Sequence, residues 1–318
     1  MATNAILAIN SLDRYITGRA AEPQQNALIG AYLRTPNPPS NNFTIQSPGA
    51  LIYGYIDRIV VSQIQVQCNI PTIIPGRNDI FFIGLNSTNV IYEVFIPYGF
   101  YVPEELAAML QSQIAAVPAL AAAEIDVSYD PQNGFVFQST SVPSVNFYFP
   151  DNEEILNTPG QTSRTVSVAL KAYKVLGMTS LNSDIGPPGI DFQFSSTAPN
   201  FLYTPYIDFY SDVLTNYQTI KDTNTSVAKP KGLIARVYLS GNGNVQSTTP
   251  TSALGTQPFV VTADLNSPKV IKWSKDVAVP SIDFQLLDCY GDFIPGPDVQ
   301  TYYPQTEFQM TLLCVEGE

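Results

Sequence analysis

Glu307-Phe308-Gln309-Met310-Thr311-Leu312-Leu313-Cys314-Val315 is the stretch that decides the fold: Phe308, Met310, Leu312 and Cys314 alternate with Glu307, Gln309 and Thr311. A period of two sends successive side chains to opposite faces of a sheet, so this is a strand with one apolar face. Upstream, Ile64, Val66, Cys68 and Ile70 alternate with Gln63, Gln65, Gln67 and Asn69. That is a second half-exposed strand, in which amide side chains stand where charge usually would. Phe43 with Ile45, then Leu51, Tyr53 and Tyr55, repeat the period on either side of the turn Ser47-Pro48-Gly49.

Further strands are expected at 80–83, 90–96, 192–194, 203–210, 233–239, 257–262, 269–273 and 282–287. Proline is abundant and scattered among them, which forbids long helices and favours short strands joined by ordered loops. The middle of the chain reads differently. Pro103-Glu104-Glu105 places proline and two acids in a first helical turn, and Leu106, Met109, Leu110, Ile114 and Val117 follow at helical spacing up to Pro118. Ile125, Val127 and Tyr129, the turn 130–134, and Phe135 with Phe137 form a hairpin pattern. In 163–176, Val166, Leu170, Tyr173 and Leu176 fit a helical face closed by Gly177, although the Val-rich first half fits a strand equally.

The fold class expected is therefore mainly β: a jelly-roll β-sandwich with a small inserted α/β unit. An extended arm is expected over 1–40, a discontinuous jelly-roll domain over 41–89 and 186–318, and the insertion over 90–185. The Gly/Asn/Ser/Thr-rich run 240–254 reads as an exposed loop. Simple βαβ repetition is missing, which disfavours a doubly wound sheet.

Composition narrows the function. The chain has 318 residues, 45% of them hydrophobic and 13% charged, so it has core enough to fold but few charges to cover its surface. Much of that surface is expected to be amide, hydroxyl or contact area. Net charge is -12 and the 15 bases never form a run, which disfavours direct binding of nucleic acid. Neither an apolar run of about eighteen residues nor a signal peptide is evident, so no membrane insertion is expected. Ala2 stands where myristoylation requires glycine. The three cysteines, Cys68, Cys289 and Cys314, are far apart and read as free thiols. Glycosylation-type matches at Asn42, Asn86 and Asn224 are the chance yield of a chain rich in Asn and Thr.

Histidine is absent. This removes the residue best suited to proton transfer near neutral pH and the commonest imidazole ligand, so Ser-His-Asp, Cys-His and His-based zinc chemistry are all excluded. No phosphate loop, dinucleotide loop or nucleophile elbow appears. Glu104-Glu105 reads as helix capping, and Glu153-Glu154 are adjacent acids, which do not make a glycosidase pair. Asp288, Asp292 and Asp298 lack calcium-loop spacing. No enzyme activity, cofactor or metal is expected.

Ser47-Pro48-Gly49-Ala50-Leu51-Ile52-Tyr53-Gly54-Tyr55 with the Gln-rich strand 63–70, Pro97-Tyr98-Gly99-Phe100-Tyr101, Tyr203-Thr204-Pro205-Tyr206-Ile207-Asp208 and 283–292 together resemble penton or minor capsid proteins of virophages and related large DNA viruses. The resemblance spans most of the chain and includes no catalytic signature. It implies a jelly-roll subunit standing normal to the capsid surface, five copies of which close a vertex beside the major capsid protein, with contacts to other minor capsid proteins. It also implies a virion location, with assembly in the host cytoplasm. Aromatic residues concentrate in contact patches, and Tyr15, Phe43, Tyr53, Tyr206 and Trp273, with the loops 47–50 and 240–256, are the contact residues expected. The alternative is a carbohydrate- or receptor-binding β-sandwich of a viral surface protein.

Overall fold

The computed structural model describes residues 4–13, 40–47, 50–52, 56–85, 90–142, 145–149, 172–178, 182–185, 192–195, 199–216, 232–239, 245–247, 257–265, 269–274, 277–294 and 306–316. The chain divides into two compact units: the first comprises Met1–Ile70, Thr204–Ser252 and Pro258–Glu318, the second Pro71–Tyr203 with Ala253–Gln257.

The first unit is a pair of antiparallel sheets. Its strands are β1 (Asn4–Asn10), β2 (Asn42–Gln46), β3 (Ile56–Cys68), β11 (Tyr206–Tyr210), β12 (Leu233–Tyr238), β13 (Val245–Ser247), β14 (Phe259–Asp264), β15 (Val270–Lys272), β16 (Ser281–Leu287) and β17 (Glu307–Glu316). One sheet has the order β1-β17-β3-β14-β13, with β15 also paired to β3; the other is β12-β11-β16-β2. The chain crosses from one sheet to the other between β2 and β3, between β12 and β13, between β15 and β16 and again to β17. Such repeated crossing is the connectivity of a jelly-roll type of sandwich.

The alternation of β17 explains why the two sheets meet. Phe308, Met310, Leu312 and Cys314 are all buried, while Gln309 is exposed. Phe308 reaches across to the opposite sheet, where its ring lies 5.9 Å from Phe43, 5.1 Å from Phe209 and 5.5 Å from Phe284. Edge-to-face and tilted contacts at these separations add to the area buried. A bulge interrupts β3: Thr311 lies opposite Gln63 but Leu312 lies opposite Val61, so Ser62 is skipped in the register and its hydroxyl donates to the Thr311 carbonyl at 3.2 Å. The extra residue exchanges the two faces of the strand. Gln63, Gln65 and Gln67 point outward beyond the bulge, and Arg58 and Val60 point outward before it.

The second unit contains β4 (Ile80–Leu85), β5 (Val90–Phe95), β6 (Asp126–Asp130), β7 (Gly134–Ser139), β8 (Val145–Tyr148), β9 (Asn182–Ile185), β10 (Phe192–Ser195) and the helices α1 (Pro103–Ala116), α2 (Pro118–Ala122) and α3 (Ala172–Val175). Its sheets run β5-β4-β8-β9 and β10-β7-β6. Leu106, Leu110 and Ile114 of α1 join Phe81, Phe137 and Phe147 in one apolar core. The Glu105 carboxylate accepts the Val102 N–H at 3.4 Å, and Gln111 Oε1 accepts the Val127 N–H at 2.5 Å, tying the helix to β6. Gly84 is required on β4, because a Cβ there would lie 2.8 Å from the Tyr148 ring.

Two expected boundaries change. Residues 4–10, assigned to an extended arm, form β1 and pair along their length with β17, because the edge of that strand offers a full set of backbone partners. The second unit begins at Pro71 and continues to Tyr203, wider than 90–185. Strand β4 lies in it because its partners are β5 and β8 and all six of its residues are buried there. Of the arm, 14–39 lies outside the described residues, as does 163–171 of the segment read either as helix or as strand.

Replacing Phe308 with Ala is expected to destabilise the first unit by about 3–5 kcal/mol. Gln309→Ala, one position away on the outward face, changes stability by less than about 0.5 kcal/mol. Urea unfolding followed by near-ultraviolet circular dichroism separates the two outcomes.

Candidate interface

The outer face of the six-stranded sheet carries its side chains in register. Ile6 on β1 lies opposite Leu313 on β17, Leu313 opposite Val60 on β3, and Val60 opposite Val270 on β15. Four apolar side chains thus run straight across four strands, a stripe roughly 15 Å long at about 4.8 Å per strand. Ile6 is 72% exposed and Val270 50%, while Leu313 and Val60 are half-buried between their neighbours. On one flank the adjoining row contains Val315, Arg58 and Lys272, with the two cations directly paired across the ladder. On the other flank lie Thr311 with Gln63, and then Gln309, Gln65 and Thr262. Gln63 Nε2 donates to Asp264 Oδ1 at 2.8 Å, so the amide surface is itself bonded along the sheet.

A second surface lies on the other sheet. Tyr206 and Tyr238, opposite one another on β11 and the edge strand β12, meet edge to face at 5.8 Å. The Arg236 guanidinium stacks 3.8 Å above the Tyr206 ring and forks onto Asp208, with Nε to Oδ1 at 2.6 Å and Nη2 to Oδ2 at 2.8 Å. The bond to Asp208 holds this guanidinium charged, above even the ordinary arginine range. Asp208 is buried, and Tyr238 is 46% exposed. Held on both faces, the arginine loses little further freedom when a partner arrives, and Tyr and Arg are the residue types that dominate contact energetics.

The structure disposes of the expected contact residues individually. Tyr206 lies in this platform, half-buried. Phe43 is 5% exposed and Trp273 7%: both belong to the core of the first unit, which corrects the expectation that they face a partner. Phe43 is enclosed by Phe284 and Phe308, and Trp273 turns inward to donate its Nε1–H to the Val277 carbonyl at 2.6 Å. Tyr15 and Tyr53 lie outside the described residues, as do 48–49 and 240–244. Neither Arg236 nor the stripe was singled out from sequence; the signal for the stripe is Leu313, an apolar residue on the amide side of the β17 alternation.

Of the acids toward the end of the chain, Asp283 and Asp288 are engaged mainly with backbone, while Asp298, like Glu153 and Glu154, lies outside the described residues. Asp283 Oδ1 accepts the Ser211 hydroxyl at 2.8 Å and the Val213 N–H at 2.9 Å, and its Oδ2 accepts the Asp212 N–H at 3.0 Å, capping the short helix α4 (Asp212–Thr215). Asp288 Oδ1 receives the N–H groups of Tyr290 and Asp292 at 2.8 and 3.0 Å, closing a turn in which Gly291 has φ 82°. Among the described residues no cluster of three or more Cys, Asp or Glu is placed to hold a metal, and no helix is long and apolar enough to cross a membrane.

No protein-family model matches the chain, and no curated protein matches it. Among solved structures it is similar to the mavirus penton protein, at 13% identity and a TM-score of 0.49 over 99% of both chains. It is also similar to a chain of the Sputnik virophage structure determined by cryo-electron microscopy, at 12% identity and a TM-score of 0.44 over 98% of this chain and 97% of that one.

All three cysteines are free, and Cys68 and Cys314 are buried. Burial pushes the Cys68 thiol up to about 12 and the Cys314 thiol up to about 11, which disqualifies both as nucleophiles. A thiol raised in the fold favours the folded state below the unfolded pKa of 9.0 and loses that contribution as pH rises toward the folded values. The urea midpoint is therefore expected to fall as pH rises from about 9 to about 12, and to fall less steeply in the double variant Cys68→Ala/Cys314→Ala.

Proposed function

We propose that this chain is a structural subunit of an icosahedral virion, the penton subunit, five copies of which close a fivefold vertex. The observation that carries the reading is the presence of two unlike, preorganised surfaces on the two sheets of one rigid unit. A ring of identical subunits is built from heterologous contacts, so each copy must present two different surfaces. The Ile6–Leu313–Val60–Val270 stripe and the Tyr206–Arg236–Tyr238 platform are such a pair. Docking one against the next would remove exposed Ile, Val and Tyr from water, while the Gln-rich surround forms a polar rim that keeps the free subunit soluble.

The low charge density fits this role, because charged residues are depleted where a surface is destined for contact. The amino-acid resemblance to virophage penton and minor capsid proteins supports the same reading. On it, the partners are further copies of this chain, the major capsid protein and other minor capsid proteins. The genome makes no direct contact, the protein resides in the capsid, and assembly takes place in the host cytoplasm. Its role is structural and not enzymatic.

Val270→Glu and Tyr238→Glu, one on each surface, are each expected to weaken assembly at least about tenfold, since placing a charge in a desolvated contact costs more than about 1.4 kcal/mol. Both positions are exposed, so the isolated chain loses no more than about 1.5 kcal/mol of stability, the scale of one aromatic or cross-strand pair, and stays folded. Sedimentation velocity with and without major capsid protein reads the first effect and thermal unfolding the second. A wild-type chain that remains a monomer in both mixtures defeats the proposal. The carbohydrate-binding alternative draws on the exposed Tyr238 beside the half-buried Tyr206, and saturable glycan binding lost in Tyr238→Ala would favour it.

A further inference from the structure

Strand β1 is held to its sheet mainly through the backbone. It pairs with β17 over seven registered positions, from Asn4 opposite Val315 to Asn10 opposite Gln309. Of its side chains Ile9 is buried and Leu7 half-buried, whereas Ala5, Ile6 and Ala8 are exposed. The seat is completed just beyond the strand: the buried Ser11 hydroxyl accepts the Phe308 N–H at 2.9 Å and donates to the Glu307 carboxylate. Nearly everything β1 contributes is thus a ladder of N–H and carbonyl groups and one hydroxyl latch, both supplied equally well by the same strand of another copy.

The connection to the next strand also matters. Residues 14–39 separate the latch from the region of β2, a length of chain bounded above at about 90 Å by roughly 3.3–3.6 Å per residue. β1 docks on β17 in one sheet, and β2 lies at the edge of the other sheet. A link with that bound admits either the β17 of its own chain or that of an adjacent subunit, and exchanging identical elements leaves the count of hydrogen bonds unchanged.

Building on the oligomeric reading above, we infer that β1 is exchanged in the assembled particle: the strand of one copy seats on the β17 edge of its neighbour, with Ser11 latching onto the neighbouring Phe308 N–H. The partner is a second copy of this chain. Its Ile6 then completes the apolar stripe of the neighbour, so the strand both ties the subunits and finishes the contact face. In the free subunit the same strand closes on its own β17. Release costs the burial of little more than one aliphatic side chain beyond the ladder itself, which places β1 among the parts of the fold that open locally.

The test is a full-length chain carrying Ile6→Cys and Leu313→Cys, residues that face each other in the register, in a Cys289→Ala/Cys314→Ala background. Oxidised as a dilute monomer, it is expected to form an internal bridge and to run as a single chain on non-reducing gels. Oxidised after assembly, most of it is expected to run as covalent multimers. Assembled particles that yield only internally bridged single chains overturn the exchange while leaving the oligomer standing. A wild-type chain that never assembles overturns the oligomeric reading and the exchange together. Should bridge geometry prevent oxidation, nitroxides placed at position 6 on one chain and position 313 on another, mixed before assembly, give the decision. Spin coupling across one strand pair supports exchange, and absence of short interchain distances in assembled material overturns it.

Discussion

The first unit depends on one contact, the insertion of Phe308 between the rings of Phe43, Phe209 and Phe284. Phe308 belongs to one sheet and the other three to the sheet facing it, so this cluster fastens the sandwich. It also ties together parts of the chain separated by the Pro71–Tyr203 segment of the second unit, since β2 precedes that segment and β11, β16 and β17 follow it. A large apolar area and close packing at a single point convert two amphipathic sheets into one body with defined outer faces.

Those outer faces are the surfaces on which the proposed assembly rests. The β3 bulge at Ser62 shifts which residues face outward, placing Arg58 and Val60 on the same exposed face as Gln63, Gln65 and Gln67. Were Ser62 held in regular register, Val60 would lie on the opposite side of β3 from Gln63, Gln65 and Gln67. On the opposing sheet, burial of Asp208 gives Arg236 a fixed counter-charge, and the guanidinium in turn supports Tyr206. A buried carboxylate requires such a partner, and here the pairing also makes a rigid ledge at the sheet edge.

Much of the β architecture was legible from alternation. The strands at 206–210, 233–238, 259–264, 270–272, 281–287 and 307–316 overlap the segments where the apolar period indicated them. The helix starting at Pro103 was legible from its proline and acids, and the hairpin closed at Gly134 from its turn residues, with Asp130 Oδ1 accepting the N–H groups of Gln132 and Asn133. Strand β1 was not, because its pattern is short and its ladder partner is β17, far along the chain. Phe43 and Trp273 were misplaced as contacts for a related reason: an aromatic ring suits a core and an interface equally, and only the neighbours distinguish the two. Tyr206 was singled out without the Arg236 and Asp208 that hold it in place, which come from different strands.

The amino-acid sequence alone determined the strand periodicity, the helix at 103–116, and, through the lack of histidine, the exclusion of whole classes of catalysis. These are local or compositional properties, set by side chains within a few residues of each other. Which strands became neighbours, where the β3 faces exchange, and which apolar residues remained outside were decided only by tertiary structure. Any apolar strand face can cover any other, so periodicity identifies a buried side without naming what lies against it. Long-range ladder register and the fit of Phe308 among three rings select the one arrangement that satisfies both backbone and core.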